Sequence, residues 1–159
     1  YGYRTLPTRY TKTDMPTPDG TNGPTVIAAI LALRQGLLDD NHTGPFVFYV
    51  NRQWSQFLDT DFSSLKGNIT LRQRILAIED IKDVRTLDRL PNTNWECLLV
   101  EMNSENVRMI IGTEIQTVQW ESQGGMMRHY KVMALQVPHL RPDASGNSGI
   151  GHGSVRAVA

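Results

Sequence analysis

The segment 24–40 constrains this chain more than any other. Val26, Ile27, Ile30, Leu31, Leu33, Leu37 and Leu38 recur there at three- and four-residue spacing, which gathers them on one broad face of a helix. Thr21 and Asn22 are N-cap types, and Pro24 suits the first turn, where a missing N–H costs nothing. Asp39, Asp40 and Asn41 break the period, and Gly44-Pro45 stops any continuation. The resulting rod is about 25 Å long at the α-helical rise. A helix this rich in Leu and Ile is unstable alone in water, so the remainder of the chain must supply its cover.

That remainder reads as helices first and strands later. Phe46–Val50 is aromatic and β-branched without clean alternation, the pattern of a strand buried on both faces. Asn51 can cap a short helix that puts Trp54, Phe57 and Leu58 on one face. Residues 59–68 form a polar loop. Thr70 and Gln73 make a capping box that opens a helix with Leu71, Ile75 and Ile78 inward. From residue 81 the period becomes that of strands: Ile81–Leu87, then a turn at Leu90–Asn94, then Cys97–Val100. Val107–Ile111 is apolar and punctuated by Gly112, and Thr113–Glu121 alternates. Gln123-Gly124-Gly125 is a hairpin turn, and Tyr130–Val137 returns as far as Pro138. Residues 1–23, rich in Pro, Gly and Thr, predict an extended arm laid over something else. The Gly/Ser-rich residues 141–159 predict a mobile tail. The fold class is α+β.

The residue chemistry offers no reactive centre. Sixteen Lys and Arg balance sixteen Asp and Glu, which argues against a polyanion-coating protein. A chain of 159 residues suits one domain or two small lobes sharing a core, and no apolar run reaches the ~18 residues of a membrane span. The single cysteine, Cys97, excludes an internal disulfide and lies among Leu and Val as a small core residue. His42, His129, His139 and His152 show no metal-ligand spacing and are expected in turns or at the surface. Gly146–Gly153 lacks the Lys-Ser/Thr of a phosphate loop. The acid pairs Asp39-Asp40, Asp59/Asp61 and Glu79-Asp80 sit at element ends as solvated punctuation. The sequons at Asn41 and Asn68 carry meaning only on a secretory route. No catalytic, cofactor-binding or metal-binding residue is expected, and the chain reads as no enzyme. Arg72, Arg74, Arg85 and Arg89 alternate with Glu79, Asp80, Asp83 and Asp88, and this mixed sign points to contacts between subunits rather than to a nucleic-acid stripe. The start at Tyr1, with no Met or signal peptide, predicts a processed or truncated piece.

The order of helix, Gly44-Pro45, FVFYV strand and Asn51…Trp54…Phe57-Leu58 resembles the spine helix and following segment of tailed-bacteriophage major capsid proteins, the Hong-Kong-type fold shared with bacterial encapsulins. Thr70–Ile75 is similar to the helix leading into the axial domain, and Ile81–Pro91 to its next strand and loop. Val107–Gly112, Glu114–Glu121 and Met127–Pro138 resemble the late strands. Gly2-Tyr3…Pro7-Thr8-Arg9 resembles the segment after the extended loop.

The resemblance implies a capsid-type α+β fold with a long spine helix, peripheral-domain strands and an axial domain with a mixed sheet. Residues 1–62 would be the peripheral part with arm and spine helix, 63–125 the axial domain, 126–140 the return strand and 141–159 a flexible tail. The family's amino-terminal arm and extended loop would precede Tyr1. No crosslinking role passes to Lys66, Glu79 or any Asn. The implied function is that of an icosahedral shell subunit of a double-stranded DNA phage, assembled in the bacterial cytoplasm from pentamers and hexamers of itself. The alternative is an encapsulin shell around a cargo protein. A small hydrolase with a diffuse site and a monomeric binding module are the readings from other classes. Neither a cofactor nor a membrane partner is implied. The spine-helix residues Ile27, Ile30, Leu31 and Leu37 are expected to pack on the late strands around Val132 and Leu135. Arg72, Arg74, Arg85 and Asp88 are expected to form ion pairs between subunits.

Overall fold

Helix α1, Gly23–Asp39, begins with Pro24 in its first turn, and the amides of Thr25 and Val26 donate to the Asn22 carbonyl. The Asn22 side chain does not cap the helix; it is used in the preceding turn with Thr17 and Asp19. At the other end Asn41 adopts φ 63°, the left-handed conformation that Asn tolerates. The His42 and Asn41 amides then close back on the Leu37 and Leu38 carbonyls, satisfying otherwise orphaned acceptors. The computed structural model describes residues 2–61 and 69–155. Most of the expected 59–68 loop, with Lys66, Asn68 and the expected 62/63 boundary, lies outside them.

Strand β1 (Tyr10–Lys12) precedes α1, and β2 (Phe46–Val50) follows it. Next come a 3-10 turn at Arg52–Trp54, the short helices α2 (Ser55–Leu58) and α3 (Leu71–Leu76), and strands β3 (Ile81–Thr86) and β4 (Cys97–Glu101). Strand β5 (Val107–Ser122) and strand β6 (Met127–Leu140) precede the last strand, β7 (Ile150–Gly153). The Thr70–Gln73 capping box forms as the sequence predicts, with both of its hydrogen bonds present. Five strands make one mixed sheet in the order β1-β7-β4-β2-β3, and β5 and β6 make a separate two-stranded ribbon. The β1–β7 and β2–β3 pairs are parallel, while β4 runs antiparallel to both neighbours. The fold is therefore α+β with a mixed sheet.

The two faces of the sheet are covered differently. On one face Phe46, Phe48, Val50, Cys97 and Leu99 join Val26, Ile27, Ile30, Leu33 and Leu37 of α1, together with Trp54, Leu58, Leu71 and Ile75. On the other, Leu98, Val100 and Ile150 are roofed by Tyr3 and Leu6 of the amino-terminal segment and by Val107 and Leu140 at the foot of the ribbon.

Strand β7 differs most from expectation. Its Gly-Ile-Gly-His-Gly surroundings read as flexible, yet Ile150, Gly151, His152 and Gly153 are all buried in mid-sheet. The glycines serve close approach. A Cβ on Gly151 would stand 3.2 Å from two side-chain atoms of Leu33 on α1, and one on Gly153 would stand 2.7 Å from the Cys97 sulfur and 2.9 Å from Met15. Glycine thus lets the helix lie directly on the strand. Segment 2–23 is likewise an integral layer: Met15 is buried and β1 completes one sheet edge.

Two further differences concern the late strands. Gly112 does not divide them; β5 runs through it with shifts of register near Thr113, and β6 runs through Pro138 in a ribbon where both strands are edges. Helix α1 packs on β7 and not near Val132 or Leu135, which lie on the ribbon at 68% and 59% exposure.

Gly153→Val should lower stability by about 1–3 kcal/mol, the usual cost of overfilling a packed core. A lower urea midpoint at unchanged slope would report it. An unchanged midpoint would show that β7 does not press on Cys97 and Met15.

Candidate assembly surface

The ribbon is the part of the molecule whose chemistry is unfinished. From Arg108 to Pro138 no residue is buried. Paired residues across an antiparallel ribbon share a face and successive pairs alternate. Val118–Lys131, Trp120–His129 and Ser122–Met127 therefore look one way, and Thr117–Val132, Gln119–Tyr130 and Glu121–Arg128 the other. Nearer the foot, Met109–Pro138 and Ile110–Val137 again place apolar groups on opposite faces. Ile115 is 72% exposed, and Ile110, Ile111 and Met127 are about half exposed. Both faces are thus apolar and wet, which single scattered surface residues do not produce.

The tip is internally well made. Trp120 stacks on His129 at 5.2 Å and 14°, the Ser122 hydroxyl is 2.8 Å from His129 Nε2, and Arg128 Nε donates to Glu121 at 3.0 Å. Gln123, Gly124 and Gly125 all take positive φ to turn the chain. A two-stranded ribbon is nevertheless marginal in water without a surface to lie on.

Two buried carboxylates anchor the structure around β4. Glu96, fully buried, accepts from Arg4 at 2.7 and 3.1 Å and lies 3.3 Å from His152 Nε2. Arg9 Nε donates to His152 Nδ1 at 3.3 Å, so His152 carries its proton on Nε2, toward the carboxylate. Burial is the main cause that pushes the His152 pKa below its ordinary value. Glu101 accepts from His42 Nδ1 at 2.6 Å, from the Gly44 amide at 3.1 Å and from Asn106. His42 and His152 are both buried, contrary to the expectation of exposed histidines. Strand spacing gives no sign of this, because each partner comes from a segment distant in sequence.

The residues singled out from the sequence scatter. Ile27, Ile30 and Leu37 lie in the core, whereas Leu31 is 41% exposed on the outer side of α1. Arg72 is engaged within its own chain, to Asp59 at 3.2 Å and to the Val84 carbonyl at 3.1 Å. Arg85 pairs with Asp83 at 2.6 Å, and that hydrogen bond holds the Asp83 carboxyl below its usual range. Arg74 is partly exposed and Asp88 exposed, and neither has an ion pair among the described residues.

The Cys97 thiol is fully buried and its pKa is pushed up to about 12 by desolvation, so it stays protonated. Hollows of about 210 and 250 Å³ flank the ribbon foot; one is lined by Gly2, Tyr3, Pro138 and Leu140, the other includes Glu105, Arg141 and Asp143. Among the described residues no group of three or more His, Cys, Asp or Glu could hold a metal, and no helix is long and apolar enough to cross a membrane.

No family model matches the chain, and no curated protein matches it. Its structure is similar to the crystal structure of a virus-like particle from Pyrococcus furiosus, at a TM-score of 0.55 and 11% sequence identity. The likeness covers 96% of this chain and 55% of the other, so the chain spans about half the length of that protein. At this identity the likeness shows the fold, which is capsid-type.

Because folded His152 resists protonation more than the unfolded chain does, its contribution to stability is complete above the ordinary histidine pKa. That contribution is lost as pH falls toward the depressed folded value. The urea midpoint should therefore drop between pH 7.5 and 5.5, and less steeply in His152→Gln. Equal slopes would remove His152 from the acid response.

Proposed function

We propose that the chain is a shell subunit, which builds a closed particle from copies of itself. The observation that carries this reading is the ribbon with apolar side chains exposed on both faces. Water is a poor solvent for such a surface, and none of the described residues buries it. A neighbouring copy is the natural occupant, because heterologous contacts that close into rings let one surface be buried in every subunit at once. The capsid-type fold supports the reading, and so does the balanced charge, which avoids repelling identical neighbours.

Within that class the element order supports the major capsid protein of a tailed double-stranded DNA phage, in pentamers and hexamers. The expected cuts at 62/63 and 125/126 would part β2 from β3 and β4, and β5 from β6, so the units of such a subunit would instead be the ribbon 107–140 and the body built on the five-stranded sheet. A nanocompartment shell enclosing a cargo protein is the second reading, favoured by the virus-like particle likeness. The contents of purified particles separate the two: nuclease-protected DNA for the first, a co-purifying protein for the second. Of the charged residues, Arg74 and Asp88 remain candidates for ion pairs between subunits, since Arg72 and Arg85 are already engaged within the chain.

Ile115→Asp and Val132→Asp test the proposal directly. Both positions are exposed, so the subunit should keep its melting temperature within a degree or two. Particles seen by negative-stain microscopy and light scattering should be lost, leaving monomers. Particles of unchanged yield in both variants would refute the ribbon as the contact, and a wild-type chain that stays monomeric at high concentration would refute the shell.

A further inference from the structure

Resting on that reading, we infer that Glu101 is the positioning residue that sets the angle at which the ribbon leaves the sheet. Among the described residues the ribbon meets the sheet at its foot, through an apolar contact and a polar one. In the first, Val107 and Leu140 pack on the cluster of Leu98, Val100 and Ile150. A greasy contact of this kind is non-directional and leaves rotation about it cheap. The other contact is polar. The Asn106 side chain, one residue before β5, donates to Glu101 Oε2, and the Asn106 carbonyl accepts from the Arg141 amide just after β6 at 2.9 Å. Asn106 therefore grips both strands of the ribbon, and Glu101 grips Asn106.

Glu101 is itself held from three sides. His42 Nδ1, just beyond the end of α1, donates to Oε2 at 2.6 Å, and the Gly44 amide donates to Oε1 at 3.1 Å. The Glu101 amide donates to the Gly149 carbonyl at 2.8 Å, at the entrance to β7. Position 149 must be glycine for this arrangement: a Cβ there would stand 2.7 Å from Glu101 Oε2 and 3.1 Å from His42 Nδ1. Glu101 is 4% exposed, so a carboxylate is desolvated to make these bonds. Packing alone would be served as well by an apolar residue, whereas several directional bonds on one carboxylate fix an orientation. The helix end, the turn into β2, the approach to β7 and the ribbon foot meet at one side chain. In an assembling subunit the exit angle of the ribbon decides which neighbour it reaches and at what inclination, and so the curvature of the wall.

The test measures the angle without needing a particle. Nitroxide labels are placed on Gln35→Cys and Met126→Cys, exposed positions on α1 and at the ribbon tip, in the Ile115→Asp background that keeps subunits apart. Buried Cys97 stays unlabelled. Pulsed electron paramagnetic resonance should give one narrow distance. Adding Asn106→Ala should broaden that distance distribution at least twofold while the melting temperature of the body stays within a few degrees. Glu101→Gln should broaden it as well; if that variant fails to fold, Asn106→Ala decides alone. In a chain free of the other substitutions, Asn106→Ala should give particles of mixed diameter where the native chain gives one. An unchanged narrow distance in Asn106→Ala, or uniform particles of native diameter, would overturn the inference. A native chain that forms no particle would instead defeat the shell reading, and the label distances would still decide the role of Glu101.

Discussion

The structure depends on β7, whose residue beneath helix α1 is a glycine. Helix α1 can rest on the sheet because Gly151 keeps the surface of β7 low and brings Leu33 and Leu37 down onto backbone, while Gly153 leaves room for Cys97 and Met15. Ile30 and Val26 belong to the same buried cluster as Phe48 and Leu99, which forms the apolar layer beneath the helix. A bulkier residue at 151 would prop the helix away from β7, and one at 153 would drive into Cys97 and Met15, strains that dense cores do not absorb. Because β7 separates β4 from β1, the same strand also gives the amino-terminal segment its seat.

Around this frame the polar interior is divided between two tasks. Glu96 serves the amino-terminal side, holding Arg4 and, through His152, facing Arg9. Glu101 serves the helix end and the ribbon foot. Each carboxylate is buried beside β4, where it joins segments that are far apart in sequence. Buried ions stabilise a fold weakly once desolvation is counted, but they discriminate sharply between one arrangement and its neighbours. That distinction matters for a subunit whose proposed work is to present edges at fixed angles.

Much of the fold was legible in the sequence where local physics decides. The α1 period, the Thr70–Gln73 box, the FVFYV strand and the hairpin turn are set by residues within a few positions of one another. Three features were hidden because distant residues decide them. Glycine-rich 146–153 gives the same local signal whether it is mobile or pressed beneath a helix; only Leu33, Cys97 and Met15 distinguish the two. The histidines paired with Glu96 and Glu101 likewise find their partners across the fold. The hairpin of β5 and β6 is legible, but not its exposure, because its apolar content is that of buried strands. The neighbouring Ile110 and Ile111, and Val118 beside Thr117, carried the available clue: apolar groups on both faces of a strand that has no sheet around it. The capsid-type likeness agrees with the element order, while the ion-pair residues showed the limit of charge patterning, since mixed-sign runs do not tell whether a partner lies in the same chain.

The pairing of β1 with β7 joins residues near the two ends of the described chain, Tyr10 with Gly151 and Lys12 with Gly153. A ribosome has long released the first of these before it makes the second. During that interval β4 lacks one of its two neighbours, Leu33 and Leu37 lack the backbone of β7 beneath them, and Arg9 waits without His152. The sheet can close only after nearly all of this segment has emerged, a topology that delays folding because the longest loop must be closed for the final contacts. A fragment that lacks β7 therefore has no closed sheet, and the seat of the amino-terminal segment is the last part of the body to be finished.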